Sequence, residues 1–196
     1  MLDIYRCPDK LLAAEEKVVP ILVDYVVSFA RRTGSPYCGI PLHRGADGFM
    51  SLEQFDTFYW PGLKALVEGL VDGGVTPHLF YEGSYDQRLH YLRQLPQGET
   101  IGRFDRSDLF KVKEVLGDTM CIMAGFPVSL LHGGTPDQIR ALTREMIEVV
   151  GKGGGFIMAT SSSMAEADPE LVKVWVEATR EYGAVSYTHL TLPTNR

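Results

Sequence analysis

Five residues at the ends of short apolar runs, His43, Arg44, Glu82, Asp105 and Arg106, and one within such a run, His78, have types that can do chemistry together. Imidazole, carboxylate and guanidinium around one rim would serve general acid–base catalysis or the binding of a carboxylate. YCGIPL runs into His43 and Arg44, TPHLFY into Glu82, ETIGRF into Asp105 and Arg106, and FIMAT into Ser161, Ser162 and Ser163. By the two-residue period of a strand, His78, Phe80 and Glu82 share a face. His78, Glu82 and Asp105 are therefore the catalytic candidates. His43, Arg44, Arg106, Ser161 and Ser162 are the candidate substrate binders. Plainer roles stand beside these. Arg44 and Arg106 could pair with Asp47 and Asp105 in loop networks, and His78, between Pro77 and Leu79, equally suits a half-buried histidine with its partners satisfied. Phe55, Phe58, Tyr59, Trp60 and Trp175 read as packing residues, and His90 as a surface one.

The stretch GKGGGFIMATSSSM raises the question of which end of a strand works. In α/β folds with parallel strands, ligands sit at the carboxyl ends of the strands. Glycines that lead into FIMAT therefore lie on the structural side, where a helix cap and a tight turn want positive φ. A phosphate-binding loop would need a strand before it and Lys-Ser/Thr entering a helix after it, and neither is present. The serine end is the one that faces substrate.

The elements that must position these residues alternate. Apolar runs at 37–42, 76–83, 99–106, 119–127 and 155–162 read as buried strands. Segments 7–34, 51–74, 85–96, 107–117, 135–153 and 168–183 carry helical spacing, with Ser51 and Gln54 in capping-box register, a kink or division at Pro20 and a bend at Pro61. About five strands and six helices joined by short loops imply an α/β fold with a parallel sheet covered on both faces. A doubly wound sheet and a (β/α)8 barrel both accept this alternation. No G-x-G-x-x-G follows any strand, so the barrel is preferred. A complete barrel takes about 250 residues, so residues 1–184 read as the C-terminal portion of a TIM-type barrel, incomplete at its front. The closing VSYTHLTLPTNR departs from the pattern and resembles translated sequencing adapter, so 185–196 reads as a non-native tail rather than a natural β-rich one.

Composition narrows the partners. The chain has 196 residues, 45% hydrophobic, with a net charge of −6 and no basic block, which argues against nucleic acid or an anionic membrane as partner. Cys7, Cys38 and Cys121 are odd in number and widely spaced, signalling neither a disulfide framework nor a thiolate metal knot. The longest apolar stretch is broken by Pro20 and Asp24, short of the roughly 20 residues of a membrane span, and acids occupy the place of a signal peptide's apolar core. A cytoplasmic location fits best.

MSLEQFDTFYWPGLKALVEGLVDGG, GDTMCIMAGFPVSLLHGGTPDQI, VVGKGGGFIMATSSSM and DPELVKVWVEATREYG together resemble the C-terminal half of the uroporphyrinogen decarboxylase superfamily, over Leu2 to Gly183. That superfamily includes porphyrinogen decarboxylases and methyltransferases serving corrinoid proteins or coenzyme M. The resemblance implies a (β/α)8 barrel and an N-terminal portion carrying the arginine-rich substrate segment and catalytic aspartate of the decarboxylases. The methyltransferase branch holds zinc with His-x-Cys at a strand end and a later Cys after the GGGFI strand. Here His78 stands at the first position, but Phe80 and Ser162 stand at the other two, and zinc prefers nitrogen, thiolate or carboxylate to a neutral hydroxyl. Glu82 is four strand residues from His78, about 13 Å, and could share an ion with it only if the chain turned back after Tyr81. The decarboxylase branch has a histidine in that late turn, where Ser161 or Ser162 stands.

The resemblance implies an enzyme of this family, acting in the intact parent on a tetrapyrrole by decarboxylation. A corrinoid-dependent methyl transfer without the usual cysteine ligands is the alternative, and an inert fragment a third. No cofactor is assigned. Expected partners are a small-molecule or tetrapyrrole substrate and, on the second reading, a corrinoid protein; a homodimer is compatible with all three.

Overall fold

The computed structural model describes residues 2–184; the expected tail, 185–196, lies outside the described residues. Five strands, β1 (Tyr37–Pro41), β2 (Thr76–Tyr81), β3 (Ile101–Phe104), β4 (Cys121–Phe126) and β5 (Phe156–Thr160), form one sheet in the order β1-β2-β3-β4-β5. All four pairings are parallel. Strictly sequential order is that of a barrel wedge, whereas a doubly wound sheet reverses direction at a switch point. The sheet order thus decides between the two architectures that alternation alone allowed.

Alternation along the strands sorts the two faces. Leu79 and Tyr81 of β2, Phe104 of β3 and Ile122 of β4 are buried and share a core with Phe55, Leu63 and Val67 from the helices. His78 and Phe80, with Ile101 and Arg103 beside them, take the other face and are half-buried. A second core under β4 and β5 gathers Phe126, Leu131, Ile139, Met146 and Trp175, which places Trp175 in packing as expected.

Nine α-helices are described: α1 (Asp3–Arg6), α2 (Pro8–Thr33), α3 (Leu52–Phe58), α4 (Trp60–Asp72), α5 (Leu89–Leu92), α6 (Leu109–Leu116), α7 (Val128–Gly133), α8 (Pro136–Glu145) and α9 (Pro169–Tyr182). A π-helical turn, Met146–Val150, continues α8. The increase over the expected six has three sources. Two helices, α1 and α7, carry too few residues for a periodic signal, and the helix expected over 51–74 is divided at Tyr59, with Pro61 in the first turn of α4. The capping box forms as read: Gln54 N–H donates to Ser51 Oγ and Ser51 N–H to the Gln54 side chain, at 3.1 and 3.2 Å.

Of the kink or division expected at Pro20 there is no division: α2 runs unbroken for 26 residues. Pro20 and Glu16, whose carbonyl loses its helical donor, both lie exposed, so water can satisfy that carbonyl. The helix expected over 85–96 contracts to the four residues of α5, because the Ser84 and Asp86 side chains bond into the neighbouring loops instead of releasing the backbone to helix. No helix among the described residues is long and apolar enough to cross a membrane.

Candidate active site

The loops leaving β1, β2 and β3 are tied to one another by side chains. The Asp47 carboxylate accepts from Ser84 Oγ at 2.8 Å, from Gln87 N–H at 3.3 Å and from the Arg88 guanidinium. Arg88 is 1% exposed, lies 4.9 Å over the Phe55 ring and donates through Nη2 to the Met50 carbonyl at 2.7 Å. The Tyr85 hydroxyl donates to the Leu42 carbonyl, and Tyr85 N–H to Ser107 Oγ at 2.9 Å. Asp86 accepts from Asp108 N–H at 3.0 Å, joining the second exit to the third. Burial pushes the Tyr85 phenol well up, so the hydroxyl stays a donor across any ordinary pH. Gly45 is needed where this network is tightest, since a Cβ there would come within 2.5 Å of the Tyr85 hydroxyl.

On this frame the structure brings His43 and Glu82 together. His43 Nδ1 contacts Glu82 Oε2 across the first two strand exits, with the side chains 56% and 46% exposed. The chain bends just past β2, where Glu82 N–H donates to the Phe80 carbonyl at 3.1 Å. That bend carries the Glu82 carboxylate to His43. Asp105 stands at the third exit, its carboxylate accepting from Gly83 N–H at 3.1 Å, with Arg106 Nε 3.7 Å away. Arg106 therefore takes the loop pairing, while its own side chain is largely in solvent. Arg44 does not pair with Asp47, whose carboxylate is already held by the buried Arg88; its guanidinium sits 5.2 Å from the Phe49 ring centroid. A cleft of about 320 Å³ opens at the ends of β3 and β4, lined by Asp105 to Phe110, Gly125, Pro127, Leu142 and Met146.

The remaining candidates lie apart from the His43–Glu82 pair. Ser161 N–H extends the β4–β5 ladder to the Phe126 carbonyl at 2.9 Å, and the Ser162 carbonyl accepts from Thr160 Oγ1 at 3.0 Å. Their hydroxyls make no hydrogen bond among the described residues. His78 lies lower on β2, its Nε2 shielded from solvent and without a partner. Burial first, and then the charge of Arg103, pushes its imidazole below the usual histidine range. Arg103 was not among the sequence candidates. The same two-residue period that grouped His78 with Phe80 would have placed it on that face, through Ile101. The buried Arg88 carried no sequence signal.

The zinc site of the methyltransferase branch does not fit here. Phe80 and Ser162 stand where cysteines would, Glu82 is engaged by His43, and no three His, Cys, Asp or Glu side chains converge among the described residues. At the other end of the sheet, Gly153, Gly154 and Gly155 have φ of 82°, 87° and 65°, and Lys113 Nζ donates to the Gly154 carbonyl at 3.3 Å. They make the tight turn expected of them and do not line the cleft at the ends of β3 and β4.

A methyltransferase from Methanosarcina mazei superposes on this chain with a TM-score of 0.66 at 20% identity, over 85% of this chain and 48% of the other. The chain thus spans about half the length of that structure, and at this identity the likeness speaks for the fold: a parallel wedge with its strands in barrel order. No curated protein matches the sequence. A model of the family described as uroporphyrinogen decarboxylase (URO-D) matches residues 1–182. The match covers nearly every described residue, and the chain belongs to the uroporphyrinogen decarboxylase family.

Proposed function

We propose that this chain forms the proton-transfer side of a decarboxylase active site, acting on a porphyrinogen carboxylate within a complete barrel. The contact between His43 and Glu82 carries this reading. With Nδ1 on the carboxylate, Nε2 is the ring nitrogen left for substrate. In the reaction a proton on a pyrrole ring carbon first makes the ring an electron sink; the bond from the side-chain carbon to its carboxylate then breaks, CO₂ leaves, and the electron pair passes into the protonated ring, which afterwards gives its proton back. A proton delivered to that side-chain carbon completes the step, and His43, oriented by Glu82, is placed to supply it. Asp105 holds the third exit loop in register through Gly83 and borders the adjoining cleft.

Family members are decarboxylases or methyltransferases. Methyl transfer to or from a corrinoid protein is the second reading, supported by the shielded His78, whose imidazole is pushed below the usual histidine range; we rank it second because Phe80 and Ser162 stand where further ligands would be needed. The test is incubation of the protein with uroporphyrinogen and, separately, with a methylated corrinoid protein. Porphyrinogen turnover that falls about 10²- to 10⁴-fold in His43→Ala, the span of one general acid, with solvent deuterium appearing in the product methyl group, supports the reading. Turnover of the methylated corrinoid alone would replace it with the second.

A further inference from the structure

The face of the sheet turned away from the main core carries a half-buried arginine with one shielded nitrogen and, among the described residues, no carboxylate beside it. Arg103, on β3, lies 4.7 Å over the Phe80 ring and donates through Nη2 to the Thr160 carbonyl at 3.0 Å. Its Nε is closed off from solvent and unpartnered. Among the described residues no carboxylate stands within ion-pair distance of it. His78, on the neighbouring strand, presents a second shielded nitrogen without a partner. Phe80 pairs with Arg103 and His78 with Ile101, so the two side chains are diagonal neighbours on one face, about 8 Å apart between Cα atoms from strand spacing and rise.

Leaving a shielded nitrogen without a partner is costly, at Arg103 Nε as at His78 Nε2. Phe80 offsets part of this through its π-face, but one N–H of the fork and the imidazole still face nothing. An anion would satisfy both. A carboxylate matches the planar fork, and the neutral imidazole can donate one N–H to it without a further charge.

We propose that Arg103 and His78 form a carboxylate subsite on the inner face of the sheet, one step below the His43–Glu82 pair. The subsite deepens the decarboxylase reading and rests on it for the identity of the substrate. Phe80 to Glu82 and Arg103 to Asp105 are each two residues, about 7 Å along the strand. A carboxylate anchored at Arg103 sets groups roughly that far away beside the strand exits, with Phe80 and Met123, which follow Arg103 across the sheet, available to an apolar body. On the decarboxylase reading, one carboxylate of the substrate is held here while another reacts.

The probe is acetate, titrated at constant ionic strength against chloride and against inorganic phosphate, with the His78 ring resonances followed by NMR. Acetate is expected to move the His78 signals saturably in the wild type, and Arg103→Met to abolish that movement. Arg103→Lys keeps the charge without the fork and should bind about tenfold more weakly. Arg103→Met also loses the Thr160 hydrogen bond and the Phe80 contact, so its melting curve is measured alongside to establish that the variant is folded. Equal movement in wild type and Arg103→Met, movement in neither, or a response to phosphate but not acetate overturns the proposal. Acetate binding at Arg103 with no porphyrinogen turnover sinks the decarboxylase reading and leaves the subsite. Full turnover in Arg103→Met does the reverse.

Discussion

Replacing Asp47 by alanine is the perturbation that bears hardest on how the strand exits are held. Asp47 is 14% exposed and Arg88 1% exposed, and the carboxylate also receives Ser84 Oγ and Gln87 N–H. Without it, Arg88 keeps the Met50 carbonyl and the Phe55 ring. Its Nε has no partner already, so most of the guanidinium would stay buried and unpaired. Breaking a buried pair from one side costs about 3–5 kcal/mol, a large part of the roughly 5–15 kcal/mol that holds a domain together. At about 2–4 °C per kcal/mol for a chain of this size, the melting temperature falls by about 6–20 °C. Asp47→Asn keeps an acceptor for Ser84 and Gln87 and should cost about 1–3 kcal/mol. Arg88→Met removes the buried charge while leaving Asp47 two donors and some solvent, and adding Asp47→Ala to it should cost far less than Asp47→Ala alone. The assay is urea unfolding of the four proteins in a double-mutant cycle, with hydrogen exchange at the Gln87 amide as a local readout. A loss below about 1 kcal/mol in Asp47→Ala, or additivity within about 0.5 kcal/mol, refutes the buried knot as the tie between the loops.

Three further outcomes are expected. Because the folded His78 sits below the usual histidine value, the unfolded chain takes up its proton first as pH falls. Stability contributed at His78 is therefore full above pH of about 6.5 and declines below it, and His78→Gln should flatten that slope in pH-dependent unfolding; an unchanged slope would show that His78 is not held neutral. Gly154→Ala forces a side chain into φ of 87° and should lower stability by about 1 kcal/mol while leaving turnover intact; a lost activity would mean that the glycine end of β5 does more than turn. At Gly125 a Cβ would come within 2.2 Å of the Phe104 carbonyl, so Gly125→Val should destabilise by about 1–3 kcal/mol through strand displacement, seen as a lower urea midpoint; wild-type stability would show that β3 and β4 can part there.

The amino-acid sequence by itself determined what depends on near neighbours along the chain. The two-residue period of β2, the Ser51–Gln54 capping box and the glycine turn before Phe156 are local devices, and each forms as read. Strand polarity follows from the same alternation, which is why His43, Arg44, Glu82, Asp105, Arg106, Ser161 and Ser162 stand at the carboxyl ends of the strands, while His78 lies lower on β2. Tertiary structure alone decided which side chains meet. Glu82 shares the strand face of His78, but the bend after Tyr81 gives it to His43, 39 residues away. Asp47 could have held Arg44 and instead holds Arg88, 41 residues on. A period places a residue on a face or at an exit. It does not say which of several charges within reach becomes the partner, because that choice is made by burial: Asp47 is taken by the guanidinium that has no water to turn to.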